Sequence, residues 1–254
     1  ITSYHVPGLY VEDHSIDVPL DWRGLDPMLL AVGSTMRRGA MPAPIAGAPE
    51  SIKLFYRVVC APDRINDDLP LLLFLQGGPG GESPRPLSPT SDGWIEEAVK
   101  HFRVVLPDQR GTGRSSCVDG RTIAALGERA TAAGSDAVRS QADFLKRHLA
   151  SSIVRDFEYL RLVGFGGKPW VTLGQSYGGF LTLSYLSLFP EGVAASFTCG
   201  GIPHVPASAS EVYAHTFPRM AIKTQQYYDR YPVDVERVAT LADALEDQKP
   251  VLPD

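Results

Sequence analysis

Apolar and polar positions alternate through the first sixty residues. "HSIDVPLDW" and "SIKLFYRVVCA" place apolar side chains at nearly every second position, which predicts strands with one solvated face and an antiparallel beginning. The stretch between them, "GSTMRRGAMPAPIAGAPE", is rich in Gly, Pro and Ala and reads as a loop. The pattern then changes. Residues 69–76 (LPLLLFLQ) and 102–108 (FRVVLPD) are nearly unbroken apolar runs, as strands covered on both faces require. "SDGWIEEAVKHF" between them suits a short helix capped by Ser91 or Asp92. Residues 135–163 carry the longest helical period, with Val138, Ala142, Leu145, Leu149, Ile153, Phe157 and Leu160 at three- and four-residue steps. Ser135 is its expected N-cap and Gly164 its expected stop. A strand at 169–173, a helix to about Phe189 and an apolar run near 193–202 follow. Strand, helix, strand, helix, strand predicts a parallel sheet with crossover helices. After Pro203 the strand pattern fades into polar-aromatic helical sequence interrupted by prolines. The expected organisation is a sheet-bearing core over 1–203 and a separate helical piece beginning at 204–254.

Composition narrows the function classes. Of 254 residues, 44% are hydrophobic, enough for a substantial core in one or two domains. Lys and Arg number 24 against 29 Asp and Glu, a net charge of −5 with no basic block, so nothing suggests a nucleic-acid partner. Apolar runs such as Leu71–Leu75 are far too short to span a bilayer, so no membrane partner is expected. The opening residues, "ITSYHVPGLYVEDHS", lack the basic and apolar regions of a signal peptide, although a leader removed earlier would leave the same start. Cys60, Cys117 and Cys199 are odd in number and far apart, which fits free thiols in a reducing, cytoplasmic compartment better than a disulfide framework.

Three loops at strand ends carry the candidate chemistry. "GQSYGG" (174–179) joins an apolar strand to an amphipathic run without Asp, Asn or Pro. Glycines two before and two after Ser176 suggest a turn so tight that side chains at 174 and 178 would collide with neighbours. Such a G-x-S-x-G turn pushes the serine hydroxyl outward as a nucleophile, and the Tyr177 N–H opening the next helix supplies one oxyanion donor. The plain alternative is a tight turn whose serine only caps that helix. "FLQGGPGGESPRP" (74–86) follows an apolar strand, where the Gly78 N–H is the expected second donor; the alternative is a glycine-rich turn of no consequence. It lacks the Gly-Lys-Ser/Thr of a phosphate loop, and Ser116 breaks the dinucleotide pattern in "RGTGRSS". In "LPDQRGTGRSS" (106–116), Asp108 with Arg110 and Arg114 is expected to form an ion-paired brace at the site's mouth, ahead of direct chemistry by Asp108.

"QGGPGGESPRP", "DQRGTGRS" and "GQSYGGF", in this order and spacing, resemble the proline iminopeptidases, serine peptidases of the α/β-hydrolase fold. The resemblance runs over nearly the whole chain, including "RYP" and the terminal "VLPD". It implies a mostly parallel sheet flanked by helices, with the start of a helical cap. It also implies release of an N-terminal residue, preferentially proline, through an acyl-enzyme, from a peptide with a free N-terminus and with neither metal nor cofactor. Gln76 departs from the histidine found before Gly-Gly in many members, so the loop's internal hydrogen bonding must differ. The family's cap also holds the substrate α-amine with an acidic residue; Glu211 is the candidate, against the reading of a solvated helix carboxylate.

A triad of this fold needs an acid and a histidine after the serine. His204 and His215 are the only downstream histidines. His204 follows a strand, but no strand-end acid lies between it and Ser176, and it reads as a loop residue; His215 sits in helical sequence. The upstream His5, His14, His101 and His148 have no motif around them. The expectation is an N-terminal part of a longer enzyme, with acid and base beyond residue 254. An esterase, a peptidase releasing longer N-terminal units and a non-catalytic binding protein of the same fold are the rivals. Epoxide hydrolysis is disfavoured, because that reaction uses a carboxylate where Ser176 stands.

Overall fold

The computed structural model describes residues 1–34, 42–201 and 208–249. Pro203, His204 and the terminal "VLPD" lie outside the described residues. The chain divides into two units, Ile1–Ile202 and Pro203–Asp254.

Three strands of the first unit run antiparallel: β1 (Thr2–Val6), β2 (Leu9–Pro19) and β3 (Ser51–Cys60). Sequence alternation predicts β2 and β3 but not β1, whose "TSYHV" carries little apolar signal. Four more strands follow: β4 (Leu71–Leu75), β5 (Arg103–Pro107), β6 (Trp170–Gln175) and β7 (Val193–Cys199). The seven form one sheet in the order β1-β2-β3-β5-β4-β6-β7. From β5 onward neighbours pair in parallel, while β3 meets β5 antiparallel. The antiparallel start and parallel continuation are those the residue pattern predicts.

The unbroken run of β4 is apolar because its residues serve two cores. Leu71, Leu73 and Leu75 face a cluster with Leu54, Val105, Phe157, Leu160, Trp170 and Tyr185. Leu72 and Phe74 face the other, with Leu9, Val59, Ile95, Val104 and Leu106. Both faces of the central strands are therefore covered.

The helices α1 (Pro27–Ala31) and α2 (Ile95–Ala98) are short. Neither Ser91 nor Asp92 caps α2: Ser88 caps a separate 3-10 turn, Pro89–Asp92, in which Ser91 answers as the reciprocal partner. A helix not read from the sequence, α3 (Gly120–Ala132), is capped by Asp119. The long period over 135–163 folds as two helices, α4 (Ala137–Leu145), capped by Asp136 rather than Ser135, and α5 (Ala150–Gly164). The reason for the break is tertiary. The Arg110 guanidinium takes the Arg147 carbonyl at 2.7 Å, which a continuous helix would need for its own ladder, and Leu149 turns extended. After β6 comes α6 (Tyr177–Leu188).

In the second unit, α7 (Ala209–Arg230) runs through Pro218 without ending, contrary to the expectation that its prolines interrupt. The interruption falls at Pro232, before α8 (Asp234–Gln248). No described helix is long and apolar enough to cross a membrane.

Candidate active site

The loops after β4, β5 and β6 leave the same carboxyl edge of the parallel strands, where open α/β sheets place ligands. Register brings two of them together. Leu75 of β4 lies opposite Gly174 of β6, so the residues that follow, Gln76-Gly77 and Gln175-Ser176, emerge side by side.

Ser176 stands at φ +53°, ψ −118°, a backbone state that residues with a side chain rarely adopt and that costs about 1–3 kcal/mol. Its surroundings hold it there. Its N–H donates to Cys199 O at 2.9 Å, and its carbonyl accepts from Gly179 N at 2.9 Å. The neighbouring glycines leave no room for relaxation. A Cβ at Gly174 would stand 2.6 Å from Thr182 Oγ1, and one at Gly178 would enter the Leu75 carbonyl. The collisions inferred from the sequence at 174 and 178 are present; Gly179, against the Gly201 backbone, adds a third.

The serine side chain makes no capping bond to α6, which removes the plain helix-cap alternative. Ser176 is exposed, and no described histidine or carboxylate is hydrogen-bonded to its hydroxyl. The N–H of Tyr177 opens α6 and, like the Gly78 N–H, has no acceptor among the described residues. Gly78 is exposed at φ +105°. Gly77 approaches the elbow so closely that a Cβ there would stand 2.9 Å from Gln175 O and 3.0 Å from Ser176 Cβ.

The third loop braces the second, through partners other than those expected. Asp108 is fully buried; one carboxylate oxygen accepts from Ser83 N at 3.0 Å and the other from Arg114 N at 2.7 Å. Its ion pair is with Arg85. The Arg110 side chain turns away to Asp156 at 2.6 Å, and that of Arg114 reaches Asp13 at 2.5 Å. Asp108 is thus a brace whose cation comes from the loop being braced, so the expected Asp108–Arg110–Arg114 ion-paired cluster does not form. Ser115 stitches this loop to β3, accepting from Phe55 N at 2.9 Å and donating to Asp108 O at 2.7 Å. Gln109 donates to Gln76 O at 2.8 Å.

A cavity of about 170 Å³ lies between the loops, lined by Pro79, Gly80, Gln109, Thr112 and His148 among others. Larger hollows, of about 340 and 470 Å³, lie around Leu25 and Ile45 and around Arg23 and Arg155; no residue of the elbow lines any of the three. Burial lowers the pKa of His148 against a hydrogen bond to Phe144 O that raises it, and the Arg110 charge lowers it further. Glu211 lies in the second unit, in the first turn of α7, with its N–H on Ser208 Oγ at 3.2 Å. A carboxylate there complements the helix dipole, which is the role its position supplies. Residues missed by sequence reasoning are Ser83, Arg85 and Gln109. All three lie in loops already singled out, 74–86 and 106–116, but nothing in the residue pattern marks them as partners of Asp108 or Gln76.

A family model described as alpha/beta hydrolase fold matches residues 70–240. Among curated proteins the chain is similar to a proline iminopeptidase of Aeromonas sobria, 39% identical over 229 residues, which are 90% of this chain and 46% of that protein. It is also similar to a proline iminopeptidase of Aspergillus aculeatus, at 34% over 209 residues, 80% of this chain and 44% of that one. The chain therefore spans about half the length of the curated relatives it matches. Among solved structures, a thermophilic esterase from Thermogutta terrifontis aligns at a TM-score of 0.41 and 19% identity, covering 68% of this chain and 49% of that one.

Proposed function

Because this chain belongs to the alpha/beta hydrolase fold family, we propose that it is the nucleophile-bearing part of a serine aminopeptidase that releases an N-terminal residue, preferentially proline, from peptides. One observation carries the reading: Ser176 is held at positive φ past the end of β6 with its hydroxyl uncapped, while the N–H of Tyr177 next to it and that of Gly78 on the adjoining loop have no acceptor among the described residues. Ser176 Oγ attacks the scissile carbonyl as a base takes its proton. The Tyr177 and Gly78 N–H groups receive the oxyanion, the leaving amine departs protonated, and water releases the acyl group. The base and its acid come from sequence beyond residue 254, a reading supported by the share of its relatives that this chain spans. The residues from 204 onward begin the cap, with Glu211 the candidate for the substrate α-amine. Three free cysteines, two of them exposed, fit the cytoplasm. Similarity to the two named proline iminopeptidases favours the aminopeptidase over an esterase.

In the full-length protein, Ser176→Ala is expected to lower kcat on a chromogenic proline amide by a factor on the order of 10⁶ with the fold intact. Activity near wild type would refute the nucleophile. An N-acetylated substrate should be turned over far more slowly, because it leaves the amine-binding carboxylate unpaired. Equal rates for the two substrates would promote the esterase.

A further inference from the structure

The peptide group joining Gln76 to Gly77 is held on both sides. Its carbonyl accepts from Gln109 Nε2 at 2.8 Å, and its N–H donates to the Gln76 side-chain Oε1, also at 2.8 Å. The same side chain then spends its amide N–H on the Glu82 carbonyl at 2.6 Å, closing the loop upon itself. Both polar atoms of the Gln76 side-chain amide are thus directed to the backbone of the glycine-rich loop. Such a loop has little stiffness of its own, since residues without Cβ rotate freely about φ and ψ. The pinned 76–77 plane sets the starting direction of the next peptide, whose N–H belongs to Gly78.

We propose that Gln76, supported by Gln109, is a positioning residue that withdraws the Gly77 N–H from the site and presents the Gly78 N–H to the oxyanion. This rests on the acyl-enzyme reading above. Without the two glutamines the 76–77 peptide is free to flip, and the Gly78 N–H swings away from the point where charge develops. Because an amide does not titrate, the brace holds across the working pH range, unlike an imidazole in the same place.

The experiment measures kcat and KM of the full-length enzyme on proline amide and on p-nitrophenyl acetate, from pH 5 to 8. Gln76→Leu removes both side-chain bonds. It should lower kcat about 10- to 100-fold, less than outright loss of an oxyanion donor, with KM changed about two-fold at most. Gln76→Glu keeps the shape. A protonated carboxyl can accept from Gly77 and donate to Glu82, whereas the ionised form sets two acceptors against each other. The ratio of its kcat to wild type should therefore be highest at the lowest pH and fall as pH rises. Variants within two-fold of wild type throughout would overturn the proposal. So would equal, pH-independent losses in the two variants, which would mean the side chain only fills space. Ser176→Ala runs beside them. If it remains active, the nucleophile reading fails and this one with it; if it is inactive beside an unimpaired Gln76→Leu, this one fails alone.

Discussion

The flank of the sheet built by α5 and the flank built by β7 and α6 differ in how far they are finished. On the first, α5 buries its polar residues as completely as its apolar ones. Asp156 receives two bonds from Arg110 and one from Trp22 Nε1 at 2.8 Å, and Arg110 also holds the carbonyls of Pro19, Leu20 and Arg147. Glu158 binds Arg161 on its own helix and the Tyr185 hydroxyl of α6 at 2.7 Å. On the second, β7 pairs with β6 alone among the described residues, and five of its seven residues are exposed, Phe197 at 57%. Phe180, Leu186 and Leu188 of α6 are exposed as well, so that helix is apolar on sides the described core does not cover. Buried charge is tolerable only where every donor has its acceptor. An apolar edge asks for covering surface of any matching shape. The Arg110–Asp156 cluster of the first flank is satisfied donor by donor, although His148 Nε2 on the same flank is buried without a hydrogen-bond partner among the described residues; the second flank is open.

The largest effect should come from breaking the finished flank. Asp156→Ala leaves the Arg110 guanidinium buried without its counter-charge and should cost about 3–5 kcal/mol in urea denaturation. Replacing the pair together, Arg110→Met with Asp156→Leu, should recover much of that loss. A cost near 1 kcal/mol for the single variant would mean the pair does not seal this flank.

Phe197→Ser probes the open side. In the 1–254 polypeptide it should change stability by no more than about 0.5 kcal/mol while reducing self-association by size-exclusion chromatography, because it removes apolar surface from an unpaired edge. In a longer protein that continues this chain, the cost should rise toward the ~3 kcal/mol of a buried phenylalanine. The same small cost in both would show that the edge is never covered.

The smallest effect concerns pH, again on the finished flank, where His148 packs under Gly111 with its ring nitrogen on Phe144 O. Burial holds its pKa below the ordinary value. The folded state therefore binds this proton less readily than the unfolded chain does. Stability should be full above a pH of about 6.5, decline as pH falls from there toward the lowered pKa, and stay lost below it. Thermal unfolding between pH 5 and 7.5 should show this limb in wild type and a flatter one in His148→Asn. Equal slopes would remove His148 as its cause.

Much of this was legible in the residues, and the failures share a cause. The elbow could be read because the spacing of its glycines around Ser176 is a local sign of crowding, even though the atoms that crowd Gly178 and Gly179, at Leu75 and Gly201, come from elsewhere in the chain. Strands β4 and β5 could be read because burial on both faces leaves a continuous apolar run. The partners of Asp108 could not. Which of several nearby arginines reaches a carboxylate depends on where Asp13 and Asp156 arrive from distant sequence. The break between α4 and α5 was hidden for the same reason, since Arg110, far away in the chain, takes the carbonyl that the helical period assigns to its own ladder. Gln76 stood out only as a departure before Gly-Gly; its bonds to Gly77 and Glu82 needed the loop's path.

The glycines around Ser176 also set what an engineer can change. Gly174, Gly178, Gly179 and Gly201 each face backbone atoms at distances that admit no methyl group, so a library randomised at these positions would return mostly unfolded protein. Exposed Gln175 and Phe180 and half-buried Tyr177 stand on the same turn with side chains already accommodated. Any reshaping of acceptance around this serine has to be written at 175, 177 and 180, with the glycine frame left as it is.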